Sequence, residues 1–151
     1  LRDSDRPDDL DQQEALIDRP QLMMRTGHPL LAQDKFAPAM LADYPWILPG
    51  KETPLRQYWE DMLRRCDIDP PHVGVECGSV LTIREMLLAS DAITLLSPDQ
   101  LRVELEGGIL ASATPPVEVK RAIGIITRKN WRPTSSQTIM LRLLQDLAEG
   151  N

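Results

Sequence analysis

Residues 44–66 read YPWILPGKETPLRQYWEDMLRRC and residues 72–96 read HVGVECGSVLTIREMLLASDAITLL; the way apolar runs and helical periods alternate in these two stretches decides the fold. The run at 44–48 is short, apolar and halted by Pro49-Gly50, as a buried strand would be. Thr53 is then placed as a helix N-cap, Pro54 suits the first turn, and Leu55, Tyr58, Trp59, Met62, Leu63 and Cys66 recur at helical spacing. Residues 72–76 alternate like a strand, and Ser79 opens a second helix with Ile83, Met86, Leu87 and Ser90 on its inner side. Residues 92–96 are a strand again, and Ser97, Pro98 and Gln100 form a capping box for a third helix that runs to Gly107. Strand and helix alternating at these lengths predict an α/β fold with a central, mostly parallel sheet flanked by helices.

Outward from this centre the signals are shorter. Residues 1–10 carry four aspartates and almost nothing apolar, which suits an exposed hinge segment. Two strands are predicted at 14–17 and 21–24, split by Asp18-Arg19-Pro20, with a turn at 27–29 and a short helix at 36–42. On the other side, strands at 108–111 and 121–126 flank a proline-bearing loop at 114–116. Thr134 and Gln137 form a capping box for a last helix, whose apolar stripe is Met140, Leu143, Leu144 and Leu147.

Composition narrows the function. A chain of 151 residues, 42% hydrophobic and 26% charged, has the length and balance for a real core. Its net charge of −6 gives no general attraction for phosphate backbones, so DNA binding by these residues alone is not expected. No apolar run is long enough for a membrane span and the acidic start is the reverse of a signal peptide, which points to a cytoplasmic protein. Cys66 and Cys77 lack the spacing of a metal site or redox pair and are expected to be reduced and buried. Ser79, His28 and His72 do not make a catalytic set: Gly78-Ser79-Val-Leu-Thr is not a nucleophile elbow, and the histidines sit where surface or edge residues are expected. No enzyme activity, cofactor or metal is predicted.

Five stretches taken in order, GHPL at 27–30, YPWILP at 44–49, TPLR at 53–56, SDAITLLSP at 90–98 and WRPT at 131–134, resemble the second half of the effector-binding domain of LysR-type transcriptional regulators. The resemblance implies a fold like the type 2 periplasmic binding proteins, in which two α/β lobes joined by crossing strands close on a small molecule. Residues 1–10 would then be the crossing segment, 11–126 the second lobe, and 127–151 the return crossing and C-terminal helix. The winged helix-turn-helix and most of the first lobe have no counterpart in these residues, so DNA would be reached only through a domain outside them. A fragment of a transporter's solute-binding protein is the alternative, because it shares the fold and the binding chemistry.

Two loops follow strands and open helices, which is where open α/β sheets place anionic ligands. The resemblance implies that Glu52, Thr53, Pro54 and Leu55 are the main contacts to a small organic anion, with Gly78 and Ser79 second. Capping alone accounts for Thr53 and Ser79 taken singly, so both readings stand. The resemblance also implies a homo-oligomer in which helix 54–66 and strand 72–76 face a partner through Tyr58, Trp59, Met62 and Arg65. The competing reading is that Tyr58, Trp59, Met62 and Leu63 cover the lobe's own sheet, with Arg56, Arg64 and Arg65 solvated.

Overall fold

The computed structural model describes residues 8–32 and 36–149, and contacts divide the chain into two compact units. The larger spans residues 19–119; the smaller combines the residues up to Asp18 with those from Lys120 onward. The hinge expected over residues 1–10 lies largely outside the described residues, and its last residue, Leu10, already begins a strand.

The larger unit contains β2 (Gln21–Arg25), β3 (Trp46–Leu48), α1 (Pro54–Arg65), β4 (Val73–Glu76), α2 (Val80–Ala89), β5 (Thr94–Leu96), α3 (Arg102–Glu106) and β6 (Leu110–Ala113). The expected central, mostly parallel sheet is not what forms. β5, β2 and β6 make a three-stranded antiparallel sheet in that order, while β3 and β4 make a separate parallel pair. One parallel bridge, Trp46 to Ile93, links the pair to the approach of β5. The reason is a single reversed strand. β3, β4, β5 and β6 all run the same way, as strand–helix alternation requires, but β2 inserts between β5 and β6 and turns both contacts antiparallel.

The centre of β2 and all of β3 and β5 are buried, so these strands are covered on both faces. Trp46 and Trp59 meet edge to face with centroids 5.4 Å apart, and the Trp46 indole N–H donates to the Leu41 carbonyl at 2.9 Å. The short helix expected at 36–42 is a single 3-10 turn over Pro38–Ala42. The third helix also starts as a 3-10 turn, Pro98–Leu101, and the predicted capping box is absent: Ser97 makes no side-chain cap, and the Gln100 N–H instead reaches the Ser97 carbonyl. Cys66 and Cys77 are free and half-buried rather than buried.

His28 departs furthest from its expected surface setting, since it is 1% exposed. The Leu30 N–H donates to its Nδ1 at 3.1 Å, which fixes the proton on Nε2, and that nitrogen donates to the Asp91 carbonyl at 3.1 Å. Asp91 in turn accepts from Arg25, with Nη2 at 2.6 Å from Oδ1, and the His28 ring packs against Tyr44 at 4.6 Å. Gly27 takes φ +72°, the left-handed turn that sends the chain back to place the ring. The GHPL and SDA motifs are therefore two halves of one buried clamp.

The smaller unit is a two-stranded antiparallel ribbon, β1 (Leu10–Asp18) with β7 (Arg121–Arg128), against which α4 (Ser135–Glu149) packs. The Thr134–Gln137 capping box forms in both directions: the Thr134 N–H donates to Gln137 Oε1 at 2.9 Å and the Gln137 N–H to Thr134 Oγ1 at 3.4 Å. The apolar stripe of α4 is present but uncovered, with Met140, Leu143, Leu144 and Leu147 between 42% and 71% exposed. No described helix is long and apolar enough to cross a membrane.

Candidate functional site

The two loops singled out in the sequence leave the β3–β4 pair side by side. Leu48 pairs with Glu76 in the parallel β3–β4 ladder, and the Cys77 N–H donates to the Leu48 carbonyl at 2.8 Å. Residues 49–53 and 77–79 thus start from adjacent strand ends, and each runs directly into a helix.

Their local bonds fix the helix starts. Thr53 Oγ1 donates to the Gly50 carbonyl at 2.7 Å and accepts from the Arg56 N–H at 3.4 Å, which closes the turn and caps α1. Ser79 Oγ accepts from the Thr82 N–H at 3.4 Å and caps α2, while the Ser79 N–H points at Cys77 Sγ, 3.4 Å away. The first-turn N–H groups of Leu55, Val80 and Leu81 have no acceptor within their own helices, so two partly positive helix ends converge at one edge.

Among the sequence-predicted contacts, Glu52, Pro54, Gly78 and Ser79 are exposed, Thr53 is half-buried and Leu55 is buried. Neither Glu76 nor Cys77 was named as a contact from the sequence, although both stand at this edge. The Glu76 carboxylate lies over the first loop, where a Cβ on Gly50 would sit 3.4 Å from its Oε1, and Cys77 is tied to the second loop by the Ser79 bond. The only sequence signal for either is the strand–helix–strand alternation across 44–76, which does not by itself name the neighbour of strand 72–76.

Of the predicted partner-facing residues, Trp59 and Met62 are buried in the core, Tyr58 is half-buried and Arg65 is exposed. Arg56, expected to be solvated, is buried: its guanidinium stacks 4.8 Å from the Trp59 ring centre, its Nε bonds Glu60 at 3.2 Å, and its Nη1 has no partner. An open groove of about 400 Å³ lies at the far end of α1, lined by Glu60, Leu63, Arg64 and the 67–70 turn. No group of three or more potential metal ligands occurs among the described residues.

Residues 1–149 match the LysR substrate binding domain. The chain belongs to that family. The LysR family is one of transcriptional regulators, not of enzymes, so the match favours the regulator over the transporter reading. The chain is 28% identical over 148 residues to the HTH-type transcriptional regulator GalR of Pseudomonas putida, covering 97% of this chain but 37% of GalR. By fold it is similar to the regulatory domain of Synechocystis CcmR in complex with 2-PG, with a TM-score of 0.76 and 21% identity over 95% of this chain and 70% of that one. It is equally similar to the effector binding domain of QuiR in complex with shikimate, with a TM-score of 0.76 and 14% identity over 97% of this chain and 69% of that one. This LysR domain is thus an effector-binding one, and the chain spans less than two-fifths of GalR's length.

Proposed function

We propose that the chain forms one wall of the effector site of a cytoplasmic LysR-type regulator and that the effector is a small organic anion. The observation that carries this is the delivery of two capped helix starts to one edge by the parallel β3–β4 pair. Free first-turn N–H groups at converging positive helix ends favour a carboxylate or phosphate. Shikimate, bound by QuiR, is a hydroxylated carboxylate. The exposed carboxylates of Glu52 and Glu76 at the same edge suit such a ligand, since they can accept from its hydroxyl groups while disfavouring a bare polyanion.

In this reading residues 1–10 and 127–151 are the outward and return crossings, and residues 11–126 hold the second lobe. The apolar stripe of α4 is where the rest of the effector domain packs. Tyr58 and Arg65, with the edge of β4, face a second copy of the regulator, whereas Trp59 and Met62 support that face from within. DNA is contacted through a helix-turn-helix domain outside these residues.

Thr53→Val in the intact regulator tests the site. Losing both Thr53 bonds loosens the loop, and effector affinity should fall about 3- to 10-fold in a titration with hydroxylated organic acids. Unchanged affinity and unchanged induction would remove this loop from the pocket. For the chain by itself the acidic balance predicts no specific DNA binding, and a salt-sensitive, sequence-selective gel shift would contradict it.

A further inference from the structure

The WRPT motif at 131–134 belongs to neither candidate effector loop, yet its tryptophan is held firmly in place. The Lys129 N–H donates to the Asp9 carbonyl at 2.7 Å and the Trp131 N–H to the Arg128 carbonyl at 3.1 Å, while Asn130 between them takes φ +62°, a left-handed conformation that asparagine tolerates. This turn ties Trp131 to the end of the β1–β7 ribbon, and the Thr134 cap starts α4 directly after it. Between ribbon, turn and helix lies an open cavity of about 390 Å³, within the range of small-molecule sites. All of its lining belongs to the smaller unit.

The ribbon contributes Gln13, Ile125 and Thr127, α4 contributes Leu141 and Gln145, and Trp131, 38% exposed, closes one end. Gln145 Nε2 donates to Gln13 Oε1 at 3.2 Å, so each amide orients the other and keeps a group for a ligand: the Gln13 NH2 and the Gln145 carbonyl oxygen. Asp11, also in the lining, and Thr127 make no side-chain hydrogen bond among the described residues, and no Lys or Arg lines the cavity. These groups select by exclusion. An anion would meet the Asp11 carboxylate with no cation to offset it, and an apolar ligand would leave the carboxylate and the amides unpaired. A ring carrying several hydroxyl groups suits them all: the carboxylate accepts from two adjacent hydroxyls, the amides and Thr127 both donate and accept, and the C–H face of the ring lies on the Trp131 indole.

We propose that this cavity is a second binding site, for a neutral polyhydroxylated ring of monosaccharide size, with Trp131 as its stacking surface and Asp11, Gln13 and Gln145 as its polar contacts. It stands independently of the effector reading, which calls for an anion and uses none of these residues.

The chain has three tryptophans, and Trp46 and Trp59 are buried in the larger unit, so fluorotryptophan labelling gives one fluorine signal at the site and two internal references for the fold. Titration with glucose, galactose and myo-inositol up to about 50 mM should shift the Trp131 resonance, assigned by Trp131→Phe, with a dissociation constant on the order of 1 mM for at least one of them. The Trp46 and Trp59 resonances should stay where they are. Asp11→Asn should weaken that binding about tenfold and Gln145→Leu about 3- to 10-fold, whereas Arg142→Ala, exposed on α4 and outside the lining, should leave it unchanged. No shift of Trp131 with any of the three compounds overturns the proposal. So does a larger response to shikimate or adenosine than to all three, which would make the site one for an acid or for a nucleoside. Equal shifts of all three resonances, or full binding by both Asp11→Asn and Gln145→Leu, would place the contact elsewhere and overturn it too.

Discussion

Trp46→Ala is expected to destabilise the larger unit by about 3–5 kcal/mol, a large part of what holds a domain of this size together. Trp46 is fully buried on β3, where its ring meets Trp59 edge to face and its indole N–H satisfies the Leu41 carbonyl. Truncation removes the apolar contacts, leaves a cavity between β3 and α1, and strands a carbonyl that water cannot easily reach. The strand is also bonded on both sides, since the Trp46 N–H donates to the His72 carbonyl and the Ile47 N–H to the Ile93 carbonyl. A disturbed β3 therefore disturbs the pairing that brings the two loops together, so effector affinity should fall with stability. Urea unfolding followed by far-UV circular dichroism measures the first effect, with Arg65→Ala, exposed on α1, as a control that should stay within about 0.5 kcal/mol of wild type. A loss below about 1 kcal/mol for Trp46→Ala would mean that the tryptophan pair is not the keystone its burial implies.

What could be read in advance was local. Thr53, Ser79 and the Thr134–Gln137 box were legible because a cap depends on residues three apart, and all three form. Ser97 failed on the same local rule: the chain after it winds as a 3-10 turn, in which the Gln100 N–H is drawn to the Ser97 carbonyl and away from its hydroxyl. Pairing is not local. The common direction of β3, β4, β5 and β6 agrees with the alternation with helices, but the insertion of β2 between β5 and β6 depends on contacts about seventy to ninety residues apart, as between Leu22 and Leu95 or Ala113.

The site shows the same division. Residues 49–53 and 77–79 were found from caps and breakers, whereas their adjacency exists only through the β3–β4 ladder. Glu76 and Cys77 come with the ladder, as the ends of a strand whose neighbour was not yet known. Arg56 was misplaced although the period held the clue, since it lies three residues before Trp59 and so on the same face of the helix. For α4 the period identified the apolar face correctly, but a period cannot say what covers a face.

His28→Ala is the second change with a large expected effect, about 2–4 kcal/mol, and it separates a clamp from an ordinary buried ring. The imidazole is used at both nitrogens, accepting from Leu30 and donating to Asp91, sixty-three residues away in sequence. Alanine leaves the Leu30 N–H and the Asp91 carbonyl without partners in a site where Leu30 is fully buried, and it removes the ring from Tyr44. Asn offers a side-chain oxygen near the place of Nδ1, so it can keep the Leu30 bond in a local turn but cannot span to Asp91. His28→Asn should therefore recover about half of the lost stability. If Asn and Ala are equally damaging, the Leu30 bond contributes little and the long-range bond to Asp91 carries the effect. If Ala costs less than about 0.5 kcal/mol, the ring is only packing, and the GHPL and SDA motifs owe their presence to something other than this clamp. Arg25→Met gives the matching test from the other side: it removes both guanidinium bonds to Asp91 while leaving the imidazole in place, and its cost should combine less than additively with that of His28→Ala because the two act on one residue.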